Sequence, residues 1–286
     1  MERGRIIKIV SNRYEVLDEN GQRLVCVAMG KVRKQKTPVV GDIVYFQRFE
    51  NQNGIQSICE RKNELIRPAI ANVDQAIIVM SCVDPDFSTA LVDRLLFLIT
   101  YAGIKPILCI TKMDLIQENH SIYQDIADYR ASGYEVYETS IHDAKSITSI
   151  WKDKISVLTG QSGAGKSTLI NSLDANIHLQ TQEISKALGR GKHTTRHCEL
   201  HEVCGGWIAD TPGFSSLDFS HLDKHTLATS ILDFQNQGSC KFRDCLHINE
   251  PQCAIRQGVE EGRISAVRYE HYKEVLYLMK QVKPKY

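Results

Sequence analysis

The chain has 286 residues, of which 42% are hydrophobic and 24% are charged, and its net charge is +1 at pH 7. This length allows two or three domains of ordinary globular composition. No apolar run approaches the ~20 residues of a membrane span, and the first residues do not resemble a signal peptide, so we expect no membrane partner. Nine cysteines in such a chain favour reduced thiols, a cytoplasmic location and a metal site over a disulfide framework.

Charge is distributed unevenly along the chain. Residues 1–68 hold 13 Lys and Arg against 8 Asp and Glu, residues 69–218 hold 12 against 18, and residues 219–286 hold 10 against 8. Basic ends around an acidic middle favour RNA as the partner of the ends, although chance variation over solvated surfaces gives the same counts. The three segments also differ in their predicted elements, so we take 1–68, 69–218 and 219–286 as three domains.

The first segment has the pattern of short strands separated by turns, at 5–11, 14–19, 22–29, 42–50 and 54–61. The dipeptides Asn20-Gly21 and Asn53-Gly54 favour hairpins, because tight primed turns need positive φ at both central residues. Five such strands suit an OB-like barrel that binds RNA, with an SH3-like barrel as the alternative. The basic loop residues expected to contact RNA, unless they form an ordinary solvated surface, are Lys31, Arg33, Lys34 and Lys36.

The second segment begins after the Arg67-Pro68 step and alternates strands with helices. Strands are predicted at 75–80, 106–110, 134–139, 155–159 and 207–209, and helices at 89–102 and 121–132. This alternation indicates βαβ units and a mainly parallel sheet with helices on both faces. In the third segment the strands stop, and a cysteine-rich loop at 240–253 precedes a helix predicted at 265–280.

A phosphate-binding loop follows the strand at 155–159 and opens a helix, which is the context that a Walker A motif requires. Its glycines let backbone N–H groups surround phosphates. We expect Lys166 to reach the β- and γ-phosphates and the Ser167 hydroxyl to ligate Mg²⁺. The residues predicted to form this nucleotide contact are Gly160, Gln161, Ser162, Gly163, Ala164, Gly165, Lys166, Ser167 and Thr168.

Two further stretches fit the γ-phosphate side of such a site. Asp210 ends a strand and opens DTPG, so its carboxylate would hold Mg²⁺ through water and Gly213 would offer its N–H to the γ-phosphate. The polar stretch at 189–196 suits a switch loop, in which Thr195, or its neighbour Thr194, would complete the Mg²⁺ shell. Without these neighbours, each stretch is typical of a simple turn or loop.

The base-binding motif TKMD lies upstream of the phosphate loop, at Thr111, Lys112, Met113 and Asp114. The Asp114 carboxylate would accept hydrogen bonds from guanine N1–H and its 2-amino group, which adenine cannot both supply, and the Lys112 stem would pack along the base. Ser140 fits the loop whose N–H meets guanine O6. The usual first residue is Asn, and the sequence does not show whether the Thr111 hydroxyl replaces its brace.

This order of motifs, with the base loop before the phosphate loop, predicts a circularly permuted G domain. One mechanical consequence is that DTPG leads directly into the C-terminal segment, so loss of the γ-phosphate can pull on that segment. Phe214 follows Gly213 where other switch GTPases have a water-orienting Gln. We therefore expect slow intrinsic hydrolysis and name His193 as the candidate to activate water, against a solvent-facing histidine as the alternative; Arg196 is a weaker arginine-finger candidate.

A metal site is predicted in the third segment, where the pattern C-x4-C-x-H-x5-C gathers three thiolates and an imidazole. Such a set suits one structural Zn²⁺ and leaves no open position for catalysis, while an iron–sulfur site is the less favoured alternative. The predicted ligands are Cys240, Cys245, His247 and Cys253.

With TKMD, GQSGAGKS and DTPGF in this order, the barrel before them and the cysteine cluster after them, the whole chain resembles the ribosome small-subunit-dependent GTPase A (RsgA) family. The resemblance implies a cytoplasmic bacterial factor, expected as a monomer without a DNA partner. It would act late in 30S maturation, bind 16S rRNA near the decoding centre, and hydrolyse GTP to GDP slowly alone and faster on the 30S subunit. Some related GTPases hold K⁺ with a phosphate-loop Asn; Gly163 stands there, so potassium dependence is not expected.

Three other functions compete with that of a GTPase. An RNA-binding sensor of GDP, GTP or alarmone nucleotides with little turnover fits Phe214, whereas Lys166, Ser167 and Asp210 favour hydrolysis. A zinc-dependent nuclease needs an open metal position. An ATPase is opposed by Asp114.

Overall fold

The computed structural model of the chain describes residues 1–30, 32, 36–50, 52–65, 69–140, 143–173, 199–210, 217–220 and 222–281. The strands in these residues are β1 Glu2–Val10, β2 Arg13–Asp18, β3 Arg23–Ala28, β4 Ile43–Arg48, β5 Asn53–Ile58, β6 Glu64–Leu65, β7 Ile70–Ala71, β8 Gln75–Ser81, β9 Lys105–Thr111, β10 Glu135–Glu138, β11 Ile155–Gly160, β12 Glu199–Val203 and β13 Gly206–Asp210. The α-helices are α1 Thr89–Tyr101, α2 Ile122–Ala131, α3 Lys166–Leu173, α4 Lys224–Ser230, α5 Leu232–Gln235, α6 Ala254–Glu260 and α7 Ala266–Gln281. Short 3₁₀ helices cover Met113–Leu115 and Ala144–Ile150.

The chain divides into two compact units. The first comprises Met1–Ala76, Lys145–Leu158 and Ser167–Gly213, and the second comprises Ile77–Ala144, Thr159–Lys166 and Phe214–Tyr286. Among the described residues, no helix is long and apolar enough to cross a membrane.

The first unit contains the predicted five-stranded barrel. Its strands follow the order β1-β2-β3-β5-β4, and pairing of β4 with β1 closes the ring. All pairs are antiparallel except β3 with β5, which run parallel. Alternate side chains point inward and are buried, because successive strand residues face opposite sides of a sheet. These buried side chains include Ile6, Tyr14, Val16, Phe46 and Ile55.

Both predicted hairpins of the barrel form, since β2 pairs antiparallel with β3 and β4 with β5, but only the first turns at its predicted dipeptide. Gly21 has φ of 79°, and the Asp18 carboxylate accepts the N–H groups of Asn20 and Gln22 at 2.9 and 2.8 Å. Asn53 and Gly54, in contrast, begin β5, and the N–H of Phe49 donates to the Gln52 carbonyl at 3.1 Å just before them. The Met29 side chain packs close to this glycine, since a Cβ at position 54 would lie 2.9 Å from the Met29 sulfur.

Beyond the barrel, the first unit continues as a sheet whose last strand ends at Asp210, the first residue of the predicted DTPG motif. Lys8 of β1 pairs with Glu199 of β12, which the sequence did not predict, and β12 runs antiparallel to β13. Strands β13 and β11 are parallel, as predicted, with Val157 opposite Ala209. Asp210, the residue after Ala209, therefore lies at the carboxyl end of this parallel pair.

The second unit contains adjacent strands in the order β10-β9-β8 and six of the helices described. Strands β9 and β10 are parallel, with Ile110 opposite Glu138, so the chain leaves both at the same edge. The C-terminal helices share one apolar core with α1. Its members include Phe97 and Leu98 of α1 together with Phe234, Tyr272 and Leu276.

A buried arginine joins α7 to three other helices of this unit. The Arg268 side chain is 2% exposed and forms ion pairs with Asp93 of α1, Asp128 of α2 and Asp233 of α5. Its guanidinium carbon lies 4.5 Å from the centre of the Tyr129 ring and 5.2 Å from that of Tyr134. Burial lowers the pKa of Arg268, and the Asp233 and Asp93 carboxylates raise it by more, so the side chain stays charged.

Candidate functional site

The phosphate loop begins where β11 ends, and its backbone requires glycine at three positions. Gly160, Gly163 and Gly165 have φ of 118°, 81° and 87°, a region that other residues rarely occupy. At Gly160 a Cβ would also lie 2.0 Å from the Val79 carbonyl oxygen. The loop can therefore present its N–H groups to phosphates only with the glycine spacing that the sequence shows.

The Lys166 ammonium folds back over this loop. Its Nζ donates to the carbonyls of Gly160 at 3.0 Å and Gln161 at 2.5 Å, and burial lowers its pKa. A positive charge in this position can meet the β- and γ-phosphates of a nucleotide without a change of backbone. Ser162 and Thr168 are exposed and Ala164 is buried.

Thr111 connects the base loop to the phosphate loop. Its Oγ1 lies 2.7 Å from the Ala164 carbonyl oxygen and 3.2 Å from that of Met80, and donates its single proton to one of them. The shorter of the two distances is to Ala164, so the Thr111 hydroxyl is within hydrogen-bond reach of the phosphate loop, although threonine replaces the usual asparagine.

The rest of the base loop forms a tight turn with an exposed carboxylate. Lys112 has φ of 62°, and its carbonyl accepts the N–H of Leu115 at 3.0 Å. The N–H of Met113 donates to the Thr139 carbonyl at 3.2 Å, which brings the loop beside β10. Because β9 and β10 leave the sheet at one edge, Asp114 and Ser140 follow neighbouring strand ends, and Asp114 is exposed where a base can reach it.

The predicted magnesium ligands are only partly described. Ser167 is 9% exposed in the first turn of α3. The backbone of Asp210 ends β13, whereas its side chain lies outside the described residues. The same holds for all of Gly213, Thr194, Thr195, His193 and Arg196. Of the basic barrel residues, Lys31, Arg33 and Lys34 lie outside the described part, and Lys36 is exposed with its Nζ 2.8 Å from the Glu64 carboxylate.

The predicted metal ligands come together in the loop between α5 and α6, which ends at Cys253, the N-cap of α6. The ligand atoms of Cys240, Cys245, His247 and Cys253 all lie within 4.8 Å of one another. The Cys240 and Cys253 sulfurs are 3.8 Å apart, and His247 Nδ1 lies 3.5 Å from the first and 3.4 Å from the second. Four soft and borderline donors around one point can hold one tetrahedral metal ion.

Residues that the sequence did not point to hold this cluster in place. The Glu250 carboxylate accepts the N–H groups of Leu246, Ile248 and Asn249 at 2.8 to 3.0 Å. Burial raises the pKa of Glu250, but these backbone hydrogen bonds outweigh it and lower the value to about 2. From α7, the Tyr269 hydroxyl donates to the His247 carbonyl at 2.6 Å. The E-x2-C spacing before Cys253 is too common to mark such a support.

Two family models match the chain in succession. The model described as RsgA N-terminal domain matches residues 3–55, and that described as RsgA GTPase matches residues 58–220. The chain belongs to the RsgA GTPase family. It is thus a GTP hydrolase by family, with a base loop that precedes the phosphate loop in the chain, as its sequence predicts.

Relatives and solved structures agree with this assignment. The chain is 49% identical to the small ribosomal subunit biogenesis GTPase RsgA of Bacillus velezensis and 48% identical to that of Bacillus subtilis, with 100% of each chain covered in both cases. It is similar to the crystal structure of YloQ, a circularly permuted GTPase, with a TM-score of 0.84 and 41% identity over 100% of this chain and 97% of that one. YjeQ from Thermotoga maritima is similar with a TM-score of 0.85 and 32% identity over 99% of both chains.

Proposed function

We propose that this RsgA-family protein binds the 30S ribosomal subunit late in its maturation and hydrolyses GTP to GDP there, at a rate that the subunit raises. The observation that carries the proposal is identity near half over the full length of relatives named small ribosomal subunit biogenesis GTPase. Such relatives act in bacteria on a ribosomal particle, so we place the protein in the cytoplasm, as a monomer that contacts 16S rRNA.

The nucleotide chemistry assigned to the chain uses both loops of the second unit. Asp114 would accept the N1–H and 2-amino group of guanine, Lys112 would pack along the base, and Ser140 would direct its N–H at O6. The backbone of the phosphate loop and Lys166 would neutralise the β- and γ-phosphates, which is the main way proteins accelerate phosphoryl transfer. Ser167 and Thr195 or Thr194 would ligate the Mg²⁺ that accompanies GTP. Asp210 would hold that ion through water.

Water activation is assigned to His193. Phe214, next to Gly213, has no group that can orient water, so another side chain must do so. His193→Ala should lower subunit-stimulated turnover by about 10²-fold or more with GTP affinity retained. His225→Ala, which removes an exposed histidine of α4, is the matched control. Full stimulated turnover in His193→Ala would remove this assignment.

The metal is assigned as one structural Zn²⁺. Tetrahedral zinc with Zn–S of about 2.3 Å and Zn–N of about 2.0 Å has S–S edges of about 3.8 Å and S–N edges of about 3.5 Å. The distances between Cys240, His247 and Cys253 agree with these values. Three cysteines and one histidine fill the four positions, so the ion would support the fold and not the hydrolysis.

RNA contact is assigned to the barrel, through Lys31, Arg33, Lys34 and Lys36. Each lysine or arginine that neutralises a phosphate contributes roughly 0.7 to 0.9 to the slope of log affinity against log salt. Lys36 forms an ion pair with Glu64, so it should contribute less to this salt dependence than the other three residues. We also propose that the domain limits are 1–68, 69–218 and 219–286. The basic loop then belongs to a different domain from the nucleotide site.

The test is GTP turnover of the purified protein alone, with 30S subunits and with 50S subunits as control. We expect strong stimulation by 30S subunits only. If 30S subunits do not stimulate turnover while the protein still binds GDP tightly, the proposal is wrong and a nucleotide sensor, the function that Phe214 favours, takes its place. Stimulation by both subunits would refute the specificity.

A further inference from the structure

A short segment between β8 and α1 contacts both nucleotide loops. This connector, residues 82–86, follows the end of β8 at Ser81 and precedes the helix cap at Ser88. It belongs to the second unit together with the base loop and residues 159–166 of the phosphate loop. None of the motifs in the sequence includes it.

The connector holds the base loop through main chain and side chain alike. The N–H of Cys82 donates to the Thr111 carbonyl at 3.2 Å, and its thiol donates to the Lys112 carbonyl at 3.0 Å. Lys112 in turn extends its ammonium to the connector, where Nζ donates to the carbonyls of Val83, at 3.3 Å, and Asp84. Cys82 is 3% exposed, so its thiol is largely shielded from water.

These contacts fix a strained turn. Lys112 has φ of 62°, a conformation that residues with a Cβ adopt only where their surroundings hold them. Its carbonyl also accepts the N–H of Leu115, which closes the 3₁₀ turn that carries Asp114. The direction of the Asp114 carboxylate therefore depends on the Lys112 carbonyl, which accepts a hydrogen bond from the Cys82 thiol.

The other end of the connector contacts the phosphate loop. The Gln161 side chain donates from Nε2 to the Asp86 carbonyl at 2.9 Å. Pro85 Cδ lies 3.5 Å from the position that a Cβ on Gly163 would take. Both loops thus share one support.

The thiol is suited to donate. Burial raises the pKa of Cys82, and the nearby Asp114 carboxylate adds to the effect. The side chain therefore keeps its proton at neutral pH. Thiols are weak donors, so one such bond is expected to contribute modestly.

We propose that the connector is a specificity-determining element of the GTPase, in which Cys82 positions the Lys112 turn so that Asp114 meets guanine. Cys82 is a positioning residue and does not touch the nucleotide. The inference rests on the proposed role of Asp114 in guanine recognition. Loss of the thiol should weaken binding most for nucleotides that use both acceptor contacts of Asp114.

The experiment compares equilibrium binding of GDP and of IDP, which lacks the 2-amino group, in the full-length protein. Cys82→Ala should lower the ratio of GDP to IDP affinity by about three- to fivefold, as expected for loss of about one hydrogen bond. Cys82→Ser keeps a donor at this position and should retain the ratio within about twofold. If Cys82→Ala does not fold, Cys82→Val fills the space without a donor and replaces it.

Cys109→Ala is the matched control, because it removes another buried thiol in the strand that leads to the same loop. Its sulfur lies 3.7 Å from Thr139 Oγ1, which keeps the Ile110 carbonyl at 3.3 Å as a partner. This variant should lose stability with the GDP-to-IDP ratio unchanged. An equal fall of the ratio in Cys109→Ala would show that Cys82 acts only through stability and would overturn the inference.

Two failures remain distinguishable. If the wild-type protein does not prefer GDP to IDP, or Asp114→Ala leaves the preference intact, the proposed base site is wrong. If the wild-type protein discriminates and Cys82→Ala discriminates equally well, the base site stands and the connector inference is overturned. A ratio in Cys82→Ser as low as in Cys82→Ala would likewise exclude a role for the hydrogen bond.

Discussion

Removal of the buried Arg268 charge should lower the free energy of unfolding of the second unit far more than removal of an exposed charge. Arg268→Met keeps an unbranched apolar side chain between Tyr129 and Tyr134 and removes the guanidinium. Asp93 and Asp233, whose side chains are 1% and 2% exposed, then remain buried without their partner. A buried ion pair broken on one side costs about 3–5 kcal/mol.

Each partner contributes to this figure differently. Asp128 is 40% exposed, and its pair with Arg268 Nη2 at 2.8 Å should account for less than about 1 kcal/mol of it. The Ser132 hydroxyl, 2.8 Å from Nη1, loses one donor and can turn to water. Asp93 keeps the Tyr129 hydroxyl at 2.8 Å and His271 Nδ1 at 2.6 Å. Asp233 therefore carries most of the uncompensated charge, and we expect a loss near the lower end, about 3 kcal/mol.

Urea unfolding followed by far-UV circular dichroism measures this loss, because most of the described helices belong to the second unit. Arg94→Met is the matched control: Arg94 lies on α1, and its Nη2 is 3.2 Å from a Glu274 carboxylate whose side chain is 56% exposed. The control should change stability by less than about 1 kcal/mol. Arg268→Met combined with Asp233→Asn should recover part of the loss. A loss below about 1 kcal/mol in Arg268→Met, or no recovery in the double variant, would refute the reasoning.

Three further predictions follow from the same geometry. The Asp93 carboxylate raises the pKa of His271 above its ordinary value of 6.5, so protonated His271 stabilises the folded protein fully below pH 6.5, and this contribution is lost as pH rises through the raised pKa. His271→Gln should therefore flatten the pH dependence of the free energy of unfolding, measured by urea unfolding from pH 6 to 8. Removal of the metal by a chelator should unfold the region around His247 and release about one zinc ion per chain, which a colorimetric assay counts; a fully metal-free, equally stable protein would contradict it. Asp114→Asn should reduce GTP affinity by about 10²-fold or more and improve XTP binding, because an amide can donate to the xanthine 2-oxo group. Nucleotide competition measures both affinities, and a retained preference for GTP would exclude Asp114 as the base contact.

The elements with a local signal were predicted well. The helix at 265–280 is observed as Ala266–Gln281, and the strand at 106–110 as Lys105–Thr111, because hydrophobic periodicity and flanking turns fix them. Strand β12 was missed, since its five residues, ELHEV, alternate weakly and pair with a barrel strand far away in the chain. The β4–β5 hairpin was predicted, but its turn precedes Asn53 and Gly54, because these two residues pair with Arg48 and Gln47 in the ladder instead of forming the turn.

The candidate site divides in the same way. The phosphate loop and the metal cluster are formed by backbone and side chains within 14 residues of one another, so spacing alone brings their chemistry together. Thr111 is different, because its partner Ala164 is 53 residues away, and only the fold shows that the hydroxyl reaches the phosphate loop.

Arg268 shows where inference from sequence alone must end. Its partners Asp233, Asp128 and Asp93 lie 35, 140 and 175 residues away, and none stands in a recognisable motif. In the sequence the arginine is one of several charges on a helix, where a solvated side chain is the ordinary expectation. Only the packing of α7 against α1 and α2 turns it into a buried charge that must be paired. Because α1 follows the connector and α2 follows the base loop, the same arginine joins α7 to the helices that come directly after these two segments.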